Sequence, residues 1–293
     1  MQINRDKKGM WVVSDGMGIV EATVLGVVQG LTEFLPISSS AHLLIVPSVA
    51  HDLGAESWTK DPGAAFTAII QLGTMAAVIL YFRKDIADIV RTWTRSLFDR
   101  SLRSHPDARM GWYIGLGTIP ISLVGLLFKD LIEGPARNLW INATVLIVMG
   151  LVLMVAEWAG SQEREVRDLT LRDGLIVGGF QALALVPGSS RSGSTMTGAL
   201  FLGYTREAAA RYSFLLSIPA VVLSGAFELR HVSEGGLPVQ GTVIATVVSF
   251  VVGYASIAWL LKFLVKHSTA VFVYYRVILG GILLGLLSSG AIT

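Results

Sequence analysis

Pro187-Gly188-Ser189-Ser190-Arg191-Ser192-Gly193-Ser194-Thr195 interrupts an apolar run. Before it, Gly174–Val186 carries only Gln181 as a strongly polar group; after it, Met196–Gly203 carries no charge. An arginine at the centre of a membrane helix costs about 2.5 to 3.5 kcal/mol on insertion scales, so Arg191 needs a partner. The surrounding glycines and hydroxyls suit an anion. Loop amides and the positive end of a following helix can face a phosphate, and a guanidinium adds a two-pronged grip.

Composition places that loop in a membrane. Of 293 residues, 53% are hydrophobic and 15% charged, against about 25% charged in a soluble domain. The chain therefore reads as an all-α integral membrane protein. A net charge of +2 makes no electrostatic case for nucleic acid. The absence of cysteine excludes disulfides and a thiolate nucleophile. Residues 1–17 form a polar segment without signal-peptide layout, in which Met10 and Met17 leave the native start open. Residues 18–293 read as one membrane domain, with halves 18–173 and 174–293.

Six apolar runs are long enough for a hydrocarbon core of about 30 Å: Pro62–Phe82, Trp112–Phe128, Leu139–Trp158, Tyr212–Leu229, Gly241–Leu261 and Ala270–Leu287. Two more, Gly18–Val49 and Gly174–Gly203, are each broken by proline and serines, the first at Pro36-Ile37-Ser38-Ser39-Ser40. Their halves are too short to cross comfortably, and broken helices persist only inside protein or along a cavity. Both therefore read as re-entrant helix-loop-helix hairpins.

Lys and Arg orient the spans. The segments Arg83–Arg109, Ser161–Arg172, Tyr204–Arg211 and Lys262–Lys266 hold 14 of them, and the opposite side holds 7 (three in residues 1–17, then Lys60, Lys129, Arg137 and Arg230). The richer side is cytoplasmic by the positive-inside rule. Hairpin one then enters from outside and hairpin two from the cytoplasm. Each is followed by three spans, which predicts an inverted-topology repeat whose broken segments meet near the midplane. Leu35-Pro36-Ile37-Ser38-Ser39-Ser40 aligns with Val186-Pro187-Gly188-Ser189-Ser190-Arg191, which leaves Gln29 and Gln181 one residue out of step.

Hairpin one reads Gln29-Gly30-Leu31-Thr32-Glu33-Phe34-Leu35-Pro36-Ile37-Ser38-Ser39-Ser40-Ala41-His42. Gln29 and Glu33, four apart, share a helix face. His42, three after Ser39 and in the first turn of a helix, can reach back to a serine hydroxyl, as a nucleophile and base require. Hydrolysis of a phosphoanhydride needs an activated oxygen and neutralised phosphoryl oxygens. Hairpin one supplies oxygen, base and carboxylate, and hairpin two supplies the arginine and the cradle. Structural readings stand beside this one. Serines can satisfy a broken backbone, His42 can be interfacial, and Glu33 with Arg191 can be a buried ion pair. Gly30, Gly178 and Gly179 suit close helix packing, the Arg83–Arg109 cations suit topology, and Trp112, Trp140 and Trp158 suit an interfacial belt. His51, His105, His231 and His267 have no assigned role. The acid, the histidine, the mid-hairpin arginine and both serine clusters nevertheless fall in the two broken segments alone.

Other motifs fail. The loop lacks the Gly-Lys-Ser/Thr ending of a P-loop, and neither a Gly-x-Ser-x-Gly elbow nor a His-Glu-x-x-His helix occurs. Ser190-Arg191-Ser192 is similar to the Ser-Arg element of type 2 phosphatidic acid phosphatases, but Gly193–Arg211 lacks the histidine that follows it there.

At these positions the chain strongly resembles the undecaprenyl-diphosphate phosphatase (bacitracin-resistance protein) family. That family's first motif is matched by Gln29, Glu33, Leu35 to Ser39 and His42, and its second by Pro187 to Thr195. The likeness extends to Ile70-Gln71-Leu72-Gly73, Ser213-Phe214-Leu215-Leu216 and Tyr275-Arg276, and so covers nearly everything after residue 18. One departure is Ser40-Ala41 before His42, where many members have Thr-Gly; the lost glycine removes backbone freedom but no catalytic atom.

The resemblance implies hydrolysis of undecaprenyl diphosphate to undecaprenyl phosphate and phosphate, which recycles the carrier lipid of bacterial cell-wall synthesis. It also implies a plasma (inner) membrane enzyme, a site open to the extracytoplasmic face and a divalent cation, Mg or Ca. On this reading Ser39 attacks the terminal phosphorus and His42 takes its proton, directly or through water. Arg191 and the Ser189–Gly193 amides, Gly188 included, hold phosphoryl oxygens. Glu33, helped by Gln29, places the cation or orients His42. Ser38, Ser190, Ser192 and Thr195 tune hydrogen bonds, Gln181 is the substrate-side counterpart of Gln29, and apolar faces hold the isoprenoid among bilayer lipids. Direct attack by water stays open. So do a transporter or flippase, a non-catalytic carrier-lipid receptor, and the oligomeric state, a homodimer included.

Overall fold

The computed structural model describes residues 3–5, 11–13, 17–55, 58, 61–133, 138–228 and 239–292. Among the cations of the sparser side, Lys7, Lys8, Lys60, Arg137 and Arg230 lie outside the described residues, as do Leu229 and His231. The chain is all-α apart from two three-residue strands, β1 (Ile3–Arg5) and β2 (Trp11–Val13), paired antiparallel with Asn4 opposite Val12.

Thirteen α-helices follow among the described residues. Hairpin one is α1 (Ile19–Thr32) and α2 (Ser39–Asp52). Then come α3 (Ala64–Tyr81), α4 (Arg83–Phe98), α5 (Pro106–Gly117), α6 (Ile119–Leu127), α7 (Lys129–Glu133) and α8 (Leu139–Ala159). Hairpin two is α9 (Leu171–Leu183) and α10 (Arg191–Phe201), followed by α11 (Arg206–Glu228), α12 (Val239–Lys266) and α13 (Ala270–Ser288). Five stretches are long and apolar enough to cross a membrane: Pro106–Leu127, Leu139–Ala159, Arg206–Ala226, Val239–Lys266 and Ala270–Ser288. The pair α3–α4, turned by 79° after Tyr81, counts as a sixth when taken as one broken span. The expected spans are helical over their described residues except at Pro62, Gly63 and Phe82, at Phe128, and at Thr118, where α5 gives way to α6. At 1.5 Å per residue, the 14 residues of α1 reach about 21 Å and the 11 of α10 fewer, short of a full crossing.

The halves exchange partners. α1 packs on α12 of the second half, and α9 packs on α5 and α6 of the first, while α3 meets α11 and α8 meets α13. Small residues permit the approach. A Cβ on Gly26 would stand 2.6 Å from the Ala245 carbonyl oxygen, one on Gly30 2.7 Å from Val252 Cβ, and one on Gly178 2.2 Å from the Gly117 carbonyl oxygen. Gly179, expected to serve the same purpose, faces open space. Trp112, Trp140 and Trp158 are exposed on the outer surface.

The repeat register differs by one residue from the sequence alignment. α1 maps on α9 and α2 on α10 with a constant shift of 152 residues. Under that shift Gln29 falls on Gln181, Gly26 on Gly178, Ser38 on Ser190 and Ser40 on Ser192. Ser38 and Ser190 adopt the same unusual backbone, φ 74° and 69°. Each caps its helix, accepting from Ala41 N at 3.4 Å and from Gly193 N at 3.1 Å, and each meets the serine two residues on at 3.2 Å. The two prolines are not equivalent, because Pro36 corresponds to Gly188. Aligning the chain by its prolines produced the slip.

Adding a methyl at a helix crossing overpacks it by about 1–3 kcal/mol. Gly178→Ala is therefore expected to lower the thermal unfolding midpoint in detergent, whereas Gly179→Ala next to it leaves the midpoint level or slightly raised, as alanine favours a helix.

Candidate active site

The two breaks bring their helix starts onto one carboxylate. Glu33 ends α1, with its amide on the Gln29 carbonyl at 3.0 Å. As their spacing implied, Gln29 Nε2 donates to Glu33 Oε2 at 2.9 Å. Ser39, the first residue of α2, donates its hydroxyl to the same oxygen at 2.6 Å. Arg191, the first residue of α10, places Nη2 3.3 Å from Glu33 Oε1. Ser39 and Arg191 are equivalent under the repeat, so one carboxylate joins a residue to its own structural counterpart. The side chains of Glu33 and Arg191 are 9% and 18% exposed, which leaves the junction within reach from one side.

α3 completes this cluster, with residues given no role on sequence grounds. Gln71 Oε1 accepts from Arg191 Nη2 at 3.3 Å, and Thr74 Oγ1 accepts from Gln29 Nε2 at 3.5 Å. The signal available was a glutamine in a run long enough to span, since a buried amide needs partners. Arg191 Nε and Nη1 have no acceptor among the described residues. A guanidinium whose contacts are both at 3.3 Å, with donors to spare, suits bidentate capture of phosphoryl oxygens.

His42 lies in the first turn of α2, as its position implied, but does not bond Ser39. Its Nδ1 is 2.7 Å from the Ser38 carbonyl oxygen and its Nε2 2.7 Å from the Tyr275 hydroxyl, with the two rings stacked at 5.6 Å. A carbonyl only accepts, so Nδ1 carries the proton and neutral Nε2 receives from tyrosine. The direct Ser39–His42 contact that the spacing allowed is not made: the acceptor in contact with that hydroxyl is Glu33. His42 instead holds the peptide before Ser39, where Ser38 has positive φ.

In hairpin two, Gly188 adopts φ 95°, and a Cβ there would stand 2.7 Å from the Asn142 carbonyl oxygen. The Ser189 amide donates to the Val186 carbonyl at 3.1 Å and the Gly193 amide to Ser190 Oγ, so both are engaged inside the loop. The Ser190 amide has no acceptor among the described residues. Ser192 Oγ ties the loop to hairpin one, donating to the Leu35 carbonyl at 3.0 Å. Thr195 Oγ1 donates back to the Arg191 carbonyl at 2.8 Å and meets Ser213 Oγ. Gln181 is fully buried in α9 with both amide atoms unpartnered among the described residues, and it is not part of the Glu33 cluster.

Among the described residues no group of three or more His, Asp or Glu gathers as for a metal ion. Gln29 Oε1, however, is buried without a hydrogen bond beside the Glu33 carboxylate. One carboxylate and one neutral oxygen suit a cation that draws its remaining ligands from water and a substrate's phosphates, as Mg does.

Removing Arg191 leaves Glu33 mostly buried without its cation. Arg191→Ala is expected to cost about 1–3 kcal/mol of stability, less than a fully buried pair because both groups are partly exposed. Adding Glu33→Gln should recover part of that cost, and a double-mutant cycle on thermal unfolding in detergent measures the coupling.

The model of the bacitracin resistance protein BacA family matches residues 22–282. The chain is 53% identical to undecaprenyl-diphosphatase 3 of Frankia alni, over 94% of this chain and 97% of the relative. It is 54% identical to the undecaprenyl-diphosphatase of a Nocardioides species, over 93% and 98%. With that of Pseudarthrobacter chlorophenolicus it shares 53%, over 94% and 100%.

Proposed function

The chain belongs to the bacitracin resistance protein BacA family, and from that premise we propose how its site acts. The protein is an undecaprenyl-diphosphate phosphatase of a multi-pass membrane type. It hydrolyses undecaprenyl diphosphate to undecaprenyl phosphate and inorganic phosphate, recycling the carrier lipid for cell-wall synthesis and giving bacitracin resistance.

The observation carrying the mechanism is the short Ser39 to Glu33 hydrogen bond beside Arg191. Ser39 Oγ attacks the terminal phosphorus while Glu33 accepts its proton. The phosphoanhydride bond breaks, undecaprenyl phosphate leaves, and water then releases phosphate from the serine. The guanidinium of Arg191 neutralises charge on the equatorial oxygens, and Gln71 fixes its azimuth. The Ser190 amide and the first turn of α10 add donors to the phosphate, with Gly188, Ser189, Ser192, Gly193 and Thr195 shaping the loop. Ser38 caps α2, and His42 holds the Ser38 carbonyl. Gln181, whose amide has no hydrogen-bond partner among the described residues, has no part in this mechanism.

Gln29 and Glu33 would hold a divalent cation, Mg or Ca, which supplies further charge neutralisation at the diphosphate. The positive-inside bias supports a plasma (inner) membrane protein whose site opens to the extracytoplasmic face, with halves of opposite orientation. A homodimer is compatible with this reading and has no part in the mechanism.

Phosphate release from undecaprenyl diphosphate by detergent-purified protein tests the activity. Glu33→Gln is expected to lower kcat about a hundred- to ten-thousandfold, as for loss of a general base, with Ser39→Ala at least as severe. Retention of rate in a folded Ser39→Ala variant would assign the attack to water. For Arg191→Lys a loss of about a hundredfold is expected, because a point charge does not replace the fork.

A chelator is expected to abolish turnover and added Mg or Ca to restore it. Gln29→Ala should then raise the metal concentration that gives half-maximal rate. An unchanged metal response would remove Gln29 from the cation site.

A further inference from the structure

Arg276 lies inside α13, fully buried, the one charged residue of an otherwise apolar run. Nε donates to the Leu146 carbonyl at 3.0 Å, Nη1 to that of Pro36 at 3.1 Å, and Nη2 to those of Gly188 at 2.9 Å and Ser189 at 3.1 Å. Pro36 and Gly188 are counterparts under the 152-residue repeat, so one side chain grips both loop tips at the same structural position. No carboxylate bonds to it among the described residues. Glu33, the acid of the neighbouring site, is already paired with Arg191.

Two consequences follow. A cation solvated only by carbonyls inside a membrane protein is costly, and cancelling Glu33 against Arg191 leaves the junction of the hairpins one positive charge in excess. In a trans peptide, moreover, a carbonyl and the following amide point opposite ways. Gly188 and Ser189 turn their carbonyls onto Arg276, so the Ser190 amide, which has no acceptor among the described residues, is directed away from the guanidinium. The charge itself sits under the first turn of α10, where a Cβ on Gly193 would come within 3.0 Å of Nη1. It therefore adds to the positive end of that helix.

We propose that Arg276 is a positioning residue of the diphosphate site: it sets both loop tips and supplies the net positive charge that the diphosphate neutralises. This rests on the phosphatase reading above, but binding tests it independently of turnover. Detergent-purified wild type, Arg276→Met and Arg276→Lys are titrated calorimetrically with inorganic pyrophosphate, and each is assayed for phosphate release from undecaprenyl diphosphate. Arg276→Met removes the charge and is expected to weaken pyrophosphate binding about tenfold or more. Arg276→Lys keeps the charge and is expected to bind within about threefold of wild type. Its kcat should still fall about tenfold, because an ammonium cannot hold four carbonyls of three segments.

A folded Arg276→Met that binds pyrophosphate as wild type does overturns the charge role. So does a folded Arg276→Lys that binds about tenfold more weakly than wild type. Wild-type kcat in Arg276→Lys overturns the clamp. If Arg276→Met does not survive purification, the lysine variant decides both points alone. Wild-type protein that binds pyrophosphate but releases no phosphate refutes the phosphatase reading and leaves this inference standing.

Discussion

A helix broken inside a membrane leaves backbone carbonyls that water does not reach, and each must find a donor within the protein. Here the breaks at Pro36 and at Pro187–Gly188 share one donor, the guanidinium of Arg276. Most of the site depends on that shared satisfaction. With the tips held side by side, the first residues of α2 and α10 fall near each other, and Ser39 and Arg191 converge on Glu33. A neutral side chain could not serve four carbonyls in this geometry, whereas a guanidinium has five donors in a plane.

The repeat explains why the pieces fit, and its asymmetry explains why they react. Each half contributes a buried glutamine, a glycine for close crossing and a serine cap of positive φ before a short helix. The chemistry lies where the halves diverge. Glu33 corresponds to Leu185, Ser39 to Arg191 and His42 to Ser194. One half thus carries the acid and the serine oxygen proposed to attack, and the other the cation. Two identical halves would have placed like beside like, either two serines with no cation or two arginines with no base.

Much of this was legible in the sequence because the costs are large and local. Arg191 inside an apolar run, and Glu33 one turn after Gln29, marked the site without any fold. The short apolar segments beside Pro36 and Pro187 marked the hairpins. What the sequence hid was contact between distant segments. Gln71, Thr74 and Tyr275 carry no local signal of the contacts they make. Arg276 was visible as a costly residue, but nothing in one dimension says that its partners are carbonyls of two loops. His42 misled for a related reason. Spacing put it near Ser39, while its hydrogen bonds depend on a carbonyl whose direction is set by the positive φ of Ser38. The repeat register is set by a shared backbone conformation at Ser38 and Ser190, which the more conspicuous prolines of each break do not mark.

The Glu33 junction also bears on how binding and reaction are linked. In the structure the carboxylate accepts from Ser39 at 2.6 Å, while Arg191 stands off at 3.3 Å and leaves Nε and Nη1 without acceptors among the described residues. The shorter contact is the one proposed to react, and the longer is a loose ion pair between partly exposed groups. A diphosphate entering from the open side meets unused guanidinium donors before it must displace anything. As phosphoryl oxygens draw on Arg191, the cation has less to offer Glu33, and the carboxylate becomes a better acceptor for the serine proton. On the proposed mechanism, substrate thereby helps activate the serine that attacks it, and an empty site keeps Glu33 partly occupied by its own arginine.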